Sequence, residues 1–228
     1  MKKTFAIFDV DKTMFPGYSI IDFAGYLAQC NRFKIEEWKE FEKLIGEYKK
    51  GVLGYNDFAV LIVDSYARGI VGQSVDDINN LSENFWQGRI KTVYGYVKPL
   101  LNQLKKIKAK IIVVSGSTKE SMWPMLNVLN INQYYCTAID EDNGRFLSKV
   151  NMNIASHEGK SKIIIKIFEQ FDSKDFVYGF GDSVADLSFL ELSNQSIVIG
   201  DHDKELIELA QREHWRIILD PENERVIL

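Results

Sequence analysis

A chain of 228 residues that is 46% apolar and 12% aromatic can bury one large core, or one core with a modest insert, and is too apolar for long disordered stretches. Its 28 basic and 32 acidic residues are interspersed and sum to −4, which excludes the basic track that a nucleic-acid backbone would require. No window of about 18 uncharged apolar residues occurs, and the first apolar run is broken by Asp9 and Asp11, so neither a membrane span nor a signal peptide is expected and the cytoplasm is the expected location.

Residues 4–8 (TFAIF) form a short β-leaning run that stops abruptly at Asp9, as a strand buried on both faces of a parallel sheet would. From 18 to 91 the pattern changes to four amphipathic helical stretches, at 20–30, 35–48, 55–69 and 75–86, with no convincing strand between them. Cys30 lies in the first of these and Cys136 far beyond. Neither has a Cys or His at ligand spacing, so both read as free thiols, without a disulfide or a zinc site.

Apolar strand-like runs return at 110–114 (KIIVV), 176–179 (FVYG) and 196–199 (SIVI), separated by helical patterns. Between them, residues 137–150 hold a turn centre at Asp142-Asn143-Gly144 with β-capable flanks, which predicts a hairpin with positive φ at Asn143 and Gly144. Strands alternating with helices predict an α/β fold, a doubly wound and mainly parallel sheet, with the helical stretch inserted after the first strand.

Ligands of such sheets bind beyond the carboxyl ends of the strands, so polar residues that end an apolar run are the candidates for chemistry. Asp9 and Asp11 are one residue apart; two such carboxylates repel each other, and a cation or a shared proton would explain them. Two solvated loop acids would fit an isolated Asp-x-Asp equally well. After the second strand, Ser115-Gly116-Ser117-Thr118 offers hydroxyls and backbone N–H groups at the start of a helix, which suits an anion and also suits an ordinary helix cap. After residues 176–179 come Gly181, Asp182 and Asp186, bringing further acids to the same edge. In the helix that starts near Gly159, the apolar residues Ile164, Ile167 and Phe171 place Lys160 on the buried face and Lys162 on the polar face.

The ordered set DVDKT (9–13), SGST (115–118), Lys160 and GDSVAD (181–186) resembles the four motifs of the haloacid dehalogenase-like superfamily, over nearly the whole chain. The ending, His202-Asp203-Lys204-Glu205-Leu206 followed by Ala210 and Trp215, is similar to that of its phosphoserine-phosphatase-like subfamily. The resemblance implies a Rossmann-like core from residues 1–15 and 94–228, with residues 16–93 as a small helical type-1 cap. Phosphoserine phosphatases carry an acid early in the cap and a later arginine for the substrate's amino and carboxyl groups. Here the early stretch is Tyr18-Ser19-Ile20-Ile21 and no cap arginine matches.

By that resemblance the chain is expected to be a Mg²⁺-dependent phosphatase of small phosphorylated metabolites. Asp9 would attack phosphorus and Asp11 would act as acid and then base. Thr13, Ser115, Gly116 and Ser117 would bind the phosphate, and Lys160 would balance its charge. Asp9, Asp182 and the backbone of Asp11 would hold the metal, oriented by Asp186. A phosphotransferase using the same intermediate, and a non-catalytic phosphate- or metal-dependent regulatory module, are the alternatives. No nucleic-acid or membrane partner is expected, and the sequence does not indicate an oligomeric state.

Overall fold

The computed structural model describes residues 2–228. Seven strands form one sheet: β1 (Thr4–Phe8), β2 (Lys110–Thr118), β3 (Tyr134–Asp142), β4 (Arg145–Met152), β5 (Phe176–Gly181), β6 (Gln195–Ile199) and β7 (Arg216–Ile218). Their order is β4-β3-β2-β1-β5-β6-β7. Every pairing is parallel except β3 with β4, so the expected doubly wound α/β architecture is present. The β3–β4 hairpin turns where expected, with Asn143 at φ 48° and Gly144 at φ 72°, values that suit these two residue types.

Strand β1 is central, and its alternation shows why. Ala6 and Phe8 face one apolar cluster, whereas Phe5 and Ile7 face another on the opposite side of the sheet. A strand covered on both faces has no polar side to offer, which accounts for its uninterrupted apolar run. The second cluster is closed by α7 (His157–Phe168), α8 (Leu187–Leu190) and α9 (Lys204–Arg212), through residues such as Ile164, Phe189 and Leu206.

The first cluster is larger. It is covered by α5 (Val97–Lys106), α6 (Lys119–Val128) and four helices inserted between β1 and β2: α1 (Ser19–Gln29), α2 (Ile35–Lys49), α3 (Tyr55–Ile70) and α4 (Val75–Arg89). Phe23, Phe41, Tyr66 and Trp86 of the insert belong to the same buried cluster as Phe8 and Val113 of the sheet. Trp86 is 1% exposed, and its indole N–H donates to the carbonyl of Ser121 at 2.7 Å. Backbone hydrogen bonds also tie the α3–α4 connection to the hairpin, with Gly72 N–H to Phe146 O at 2.8 Å and Phe146 N–H to Gln73 O at 3.1 Å. The insert therefore shares its core with one face of the sheet. Among the described residues, no helix is long and apolar enough to cross a membrane.

Candidate active site

The carboxyl ends of β1, β2 and β5 converge on one cavity of about 780 Å³, roofed by α1, α2 and α3. At its floor the backbone of Asp9 continues the sheet, its N–H donating to Phe180 O at 3.0 Å. The chain then doubles back tightly. The N–H groups of Thr13, Met14 and Phe15 all donate to Val10 O, and Lys12 adopts φ 62°.

Lys160 is buried at 3% exposure, and its ammonium reaches Asp9 Oδ1 and Asp186 Oδ1, each at 2.7 Å. Lys162 is exposed and pairs with Glu158 of its own helix, so the three- and four-residue spacing put the right lysine inside. Burial opposes the Lys160 charge, but Asp186 and Asp9 outweigh it and hold the ammonium well above its ordinary range. Asp186 is fully occupied. One oxygen takes Lys160, and the other accepts the N–H groups of Asp182 at 2.9 Å and Ser183 at 3.2 Å.

Asp9, Asp182 and Asp186 bring carboxylate oxygens within 4.8 Å of one another. Against these three carboxylates stands one buried ammonium, which leaves negative charge in excess. Burial, offset in part by Lys160, pushes Asp9 well above the usual carboxylate range. Asp182 is pushed up to about 6, first by burial. An acidic cluster that cannot ionise freely alone, built from hard oxygen donors, fits a divalent cation such as Mg²⁺. Asp186 is contacted by three polar groups, Asp182 by the Thr13 hydroxyl and His202, and Asp9 by Lys160 alone, so Asp9 has the most open carboxylate of the set.

Asp11 faces the cavity apart from that cluster. Its carboxylate accepts the Ser19 N–H at 2.8 Å and the Ser117 hydroxyl at 2.5 Å. Burial raises its pKa, and the hydrogen bonds from Ser117 and Ser19 partly oppose the rise. A carboxyl held in an environment that favours the proton, yet fixed by donors that favour the anion, is suited to give and take one proton.

The surroundings of Ser115, Ser117 and Thr13 carry further detail. Residues 115–118 continue β2 through an irregularity in its register with β3 and lead into α6, which starts at Lys119 with Thr118 at its N-cap and without a side-chain cap. Gly116 is required there because a Cβ would lie 2.8 Å from Ala155 Cα. The Ser117 N–H donates to Ser115 Oγ at 3.2 Å, and Ser115, Gly116 and Ser117 line the cavity. Thr13 is fully buried outside the cavity lining, and its hydroxyl donates to Asp182 Oδ1 at 3.2 Å. That contact is placed to orient a carboxylate of the acidic cluster.

His202 was not singled out as a site residue, yet its Nε2 lies 2.9 Å from Asp182 Oδ2. Its place just beyond the carboxyl end of β6, beside Asp203, was the available signal. Asp203 caps α9 through Leu206 N–H at 3.1 Å and accepts Val184 N–H at 2.8 Å, which fixes the loop after β5. Tyr55 of α3 also lines the cavity. Burial raises its phenol far above the ordinary value, with Lys160 pulling it down and Asp9 pushing it up.

No curated protein matches the chain. A protein of unknown function from Bordetella pertussis Tohama I shares its fold at TM-score 0.76 and 20% identity, over 96% of this chain and 99% of that one. A phosphoserine phosphohydrolase-like protein from Francisella tularensis is similar at TM-score 0.66 and 20% identity, over 96% of each chain. A phosphoserine phosphatase captured as a phospho-aspartyl intermediate analogue is similar at TM-score 0.64 and 17% identity, over 97% of this chain and 95% of that one. The model of the haloacid dehalogenase-like hydrolases matches residues 6–191, a span that contains Asp9, Asp11, Ser115, Lys160, Asp182 and Asp186, and the chain belongs to that family.

Proposed function

We propose that this hydrolase is a Mg²⁺-dependent phosphatase that cleaves a small phosphomonoester through an aspartyl phosphate on Asp9. The observation that carries the reading is the convergence of Asp9, Asp11, Ser115, Lys160 and Asp182 at one end of a single cavity. The phosphatase-named structures of the same fold agree with it.

Bound between Asp9 and Asp182, Mg²⁺ would neutralise charge on the carboxylates and the phosphoryl oxygens. An Asp9 oxygen attacks phosphorus in line while the bond from phosphorus to the alcohol oxygen breaks, and the proton of Asp11 passes to that oxygen. Asp11, now a carboxylate, takes a proton from water; the water oxygen attacks phosphorus, the bond to Asp9 breaks and inorganic phosphate leaves. Lys160 keeps Asp9 aimed and faces the charge that gathers between nucleophile and phosphate. The Ser115 hydroxyl is free to donate to a phosphoryl oxygen, because its oxygen accepts the Ser117 N–H. In this reading residues 1–15 and 94–228 form the catalytic core, and 16–93 a cap that excludes water from the site. The enzyme would act on soluble metabolites in the cytoplasm.

The test is turnover of a panel of phosphate esters with and without Mg²⁺, joined to trapping of the phosphorylated protein. Asp9→Asn is expected to lose activity by several orders of magnitude together with the trapped species. An Asp9→Asn protein that keeps a tenth of the activity refutes the covalent route. Transfer of phosphate to added alcohols in preference to water makes the chain a phosphotransferase.

A further inference from the structure

Protein interiors are close-packed, with few voids larger than a water molecule. A space of about 780 Å³ is in the range of about 300–1,000 Å³ that holds drug-sized ligands. The phosphoryl end of the cavity is polar, and the opposite wall is different. It includes the half-buried Ile21 of α1 and Ile45 of α2, together with Ile20 of α1 and Phe58, Ile62 and Val63 of α3, which are 1–5% exposed. Tyr48 stiffens it: its ring stacks on Phe58 at 4.3 Å between centroids and 7° between planes. The insert contributes just two charged side chains to the lining, Asp22 and the exposed Lys49, and no arginine among the described residues lines the cavity.

These observations bear on the alcohol half of the substrate. An amino-acid or polyol phosphate would place charged or hydroxyl groups against isoleucines, where lost hydration is not replaced. A large apolar group would instead remove both its own surface and the wall's from water. The tyrosine hydroxyls of Tyr18 and Tyr55, both on the lining, supply a small number of neutral hydrogen-bonding groups, as ligand sites of mainly apolar character do.

Resting on the phosphatase reading above, we infer that the substrate is a phosphomonoester whose alcohol carries a bulky apolar, ring-bearing group, held by the isoleucine-rich face of α1, α2 and α3. The phosphate would sit at Asp9 and the ring beneath α3. The same apolar face offers a charged amino-acid phosphate no partner, so such esters are expected to be poorer substrates than the ring-bearing one.

The test uses full-length protein with Mg²⁺ and three primary alkyl esters of similar leaving-group acidity: 2-(2-naphthyl)ethyl phosphate, ethyl phosphate and phosphoserine. We expect kcat/KM for the naphthyl ester to exceed both others by roughly 100-fold, the scale on which apolar pockets discriminate. Equal or better turnover of ethyl phosphate or phosphoserine overturns the inference and leaves the phosphatase reading intact. If no ester is turned over, the phosphatase reading fails, and binding decides the inference separately. By calorimetry, 2-(2-naphthyl)ethylphosphonate should bind roughly 100-fold tighter than ethylphosphonate, and equal affinity, or no binding of either, refutes it. Ile21→Gln and Ile45→Gln, both at half-buried positions, should each lower the naphthyl-to-ethyl preference about tenfold. A preference unchanged in both variants removes α1 and α2 from the recognition wall.

Discussion

The carboxylate of Asp11 accepts the backbone N–H of Ser19, the first residue of α1, at 2.8 Å. The side chain assigned to proton transfer is thereby held by the start of the helical insert, while Ser117 on β2 grips its other oxygen at 2.5 Å. Any rearrangement of α1 would change the environment of Asp11, so insert and chemistry are joined through one residue.

The two donors stabilise the Asp11 anion against burial, which favours the proton. Removing either should therefore raise its pKa and move the rising limb of the kcat–pH profile, where Asp11 must act as a base, to higher pH. Ser117→Ala removes the hydroxyl. Ser19→Pro removes the N–H at a first helical position that accommodates proline. Ser19→Ala keeps the N–H but loses the hydroxyl, which also favours the anion, and should move the limb less far than Ser19→Pro. Pre-steady-state and steady-state pH profiles check this; a limb that stays fixed in both Ser117→Ala and Ser19→Pro removes these donors from control of Asp11.

Thr13 tests the difference between holding phosphate and orienting a metal ligand. Its hydroxyl contacts Asp182 Oδ1, so Thr13→Val should weaken Mg²⁺ binding by about 10–100-fold. KM for the ester at saturating Mg²⁺ should change little, and Thr13→Ser should restore the affinity. The opposite pattern, with normal Mg²⁺ binding and a raised KM, would return Thr13 to the phosphate.

Lys160 and Lys162 are separated by one position and should behave as unrelated residues. Lys160→Ala leaves Asp9 and Asp186 buried without their cation, which costs about 3–5 kcal/mol of metal-free stability. Activity should fall by orders of magnitude. Lys162→Ala breaks an exposed pair with Glu158 and should leave both melting temperature and turnover near those of the unaltered protein. Thermal melts and turnover of the two variants side by side decide the matter.

The carboxylate cluster also sets how stability depends on pH. Asp182 has its folded pKa raised from 3.8 to about 6, so the folded state holds more protons than the unfolded state across that window. Stability of the metal-free protein should then decline as pH rises from about 4 to 6, with Asp9 acting in the same direction. Mg²⁺ compensates the carboxylates once they are ionised, so its effect on melting temperature should be larger at pH 7 than at pH 5. Melting curves with Mg²⁺ and with chelator at the two pH values provide the measurement, and an equal increment at both would contradict it.

Local pattern by itself determined the strand ends at Asp9 and near Asp182, the helical phase that buries Lys160, and the hairpin turn at Asn143 and Gly144. Each depends on neighbours within a few residues, where strand alternation and the helical turn govern which side a residue faces. It also located the helical insert as a stretch of a different period. Only the tertiary structure decided the partner of each polar group. Thr13 meets Asp182 across 169 positions, and Ser117 meets Asp11 across 106, distances over which periodicity carries no information. The same limit hid His202, whose contact with Asp182 arises because β6 lies beside β5. It also hid which insert side chains face the cavity. Ile45, Phe58 and Ile62 follow the same helical spacing as the packed core, and only the approach of α2 and α3 to the sheet edge sets them beside the cavity. Residues 18–91 read as a helical insert, and what covers its apolar faces came only from the structure, which seals Trp86 and Tyr66 in one cluster with Phe8 and Val113, because an amphipathic helix specifies that one face must be buried and not what will bury it.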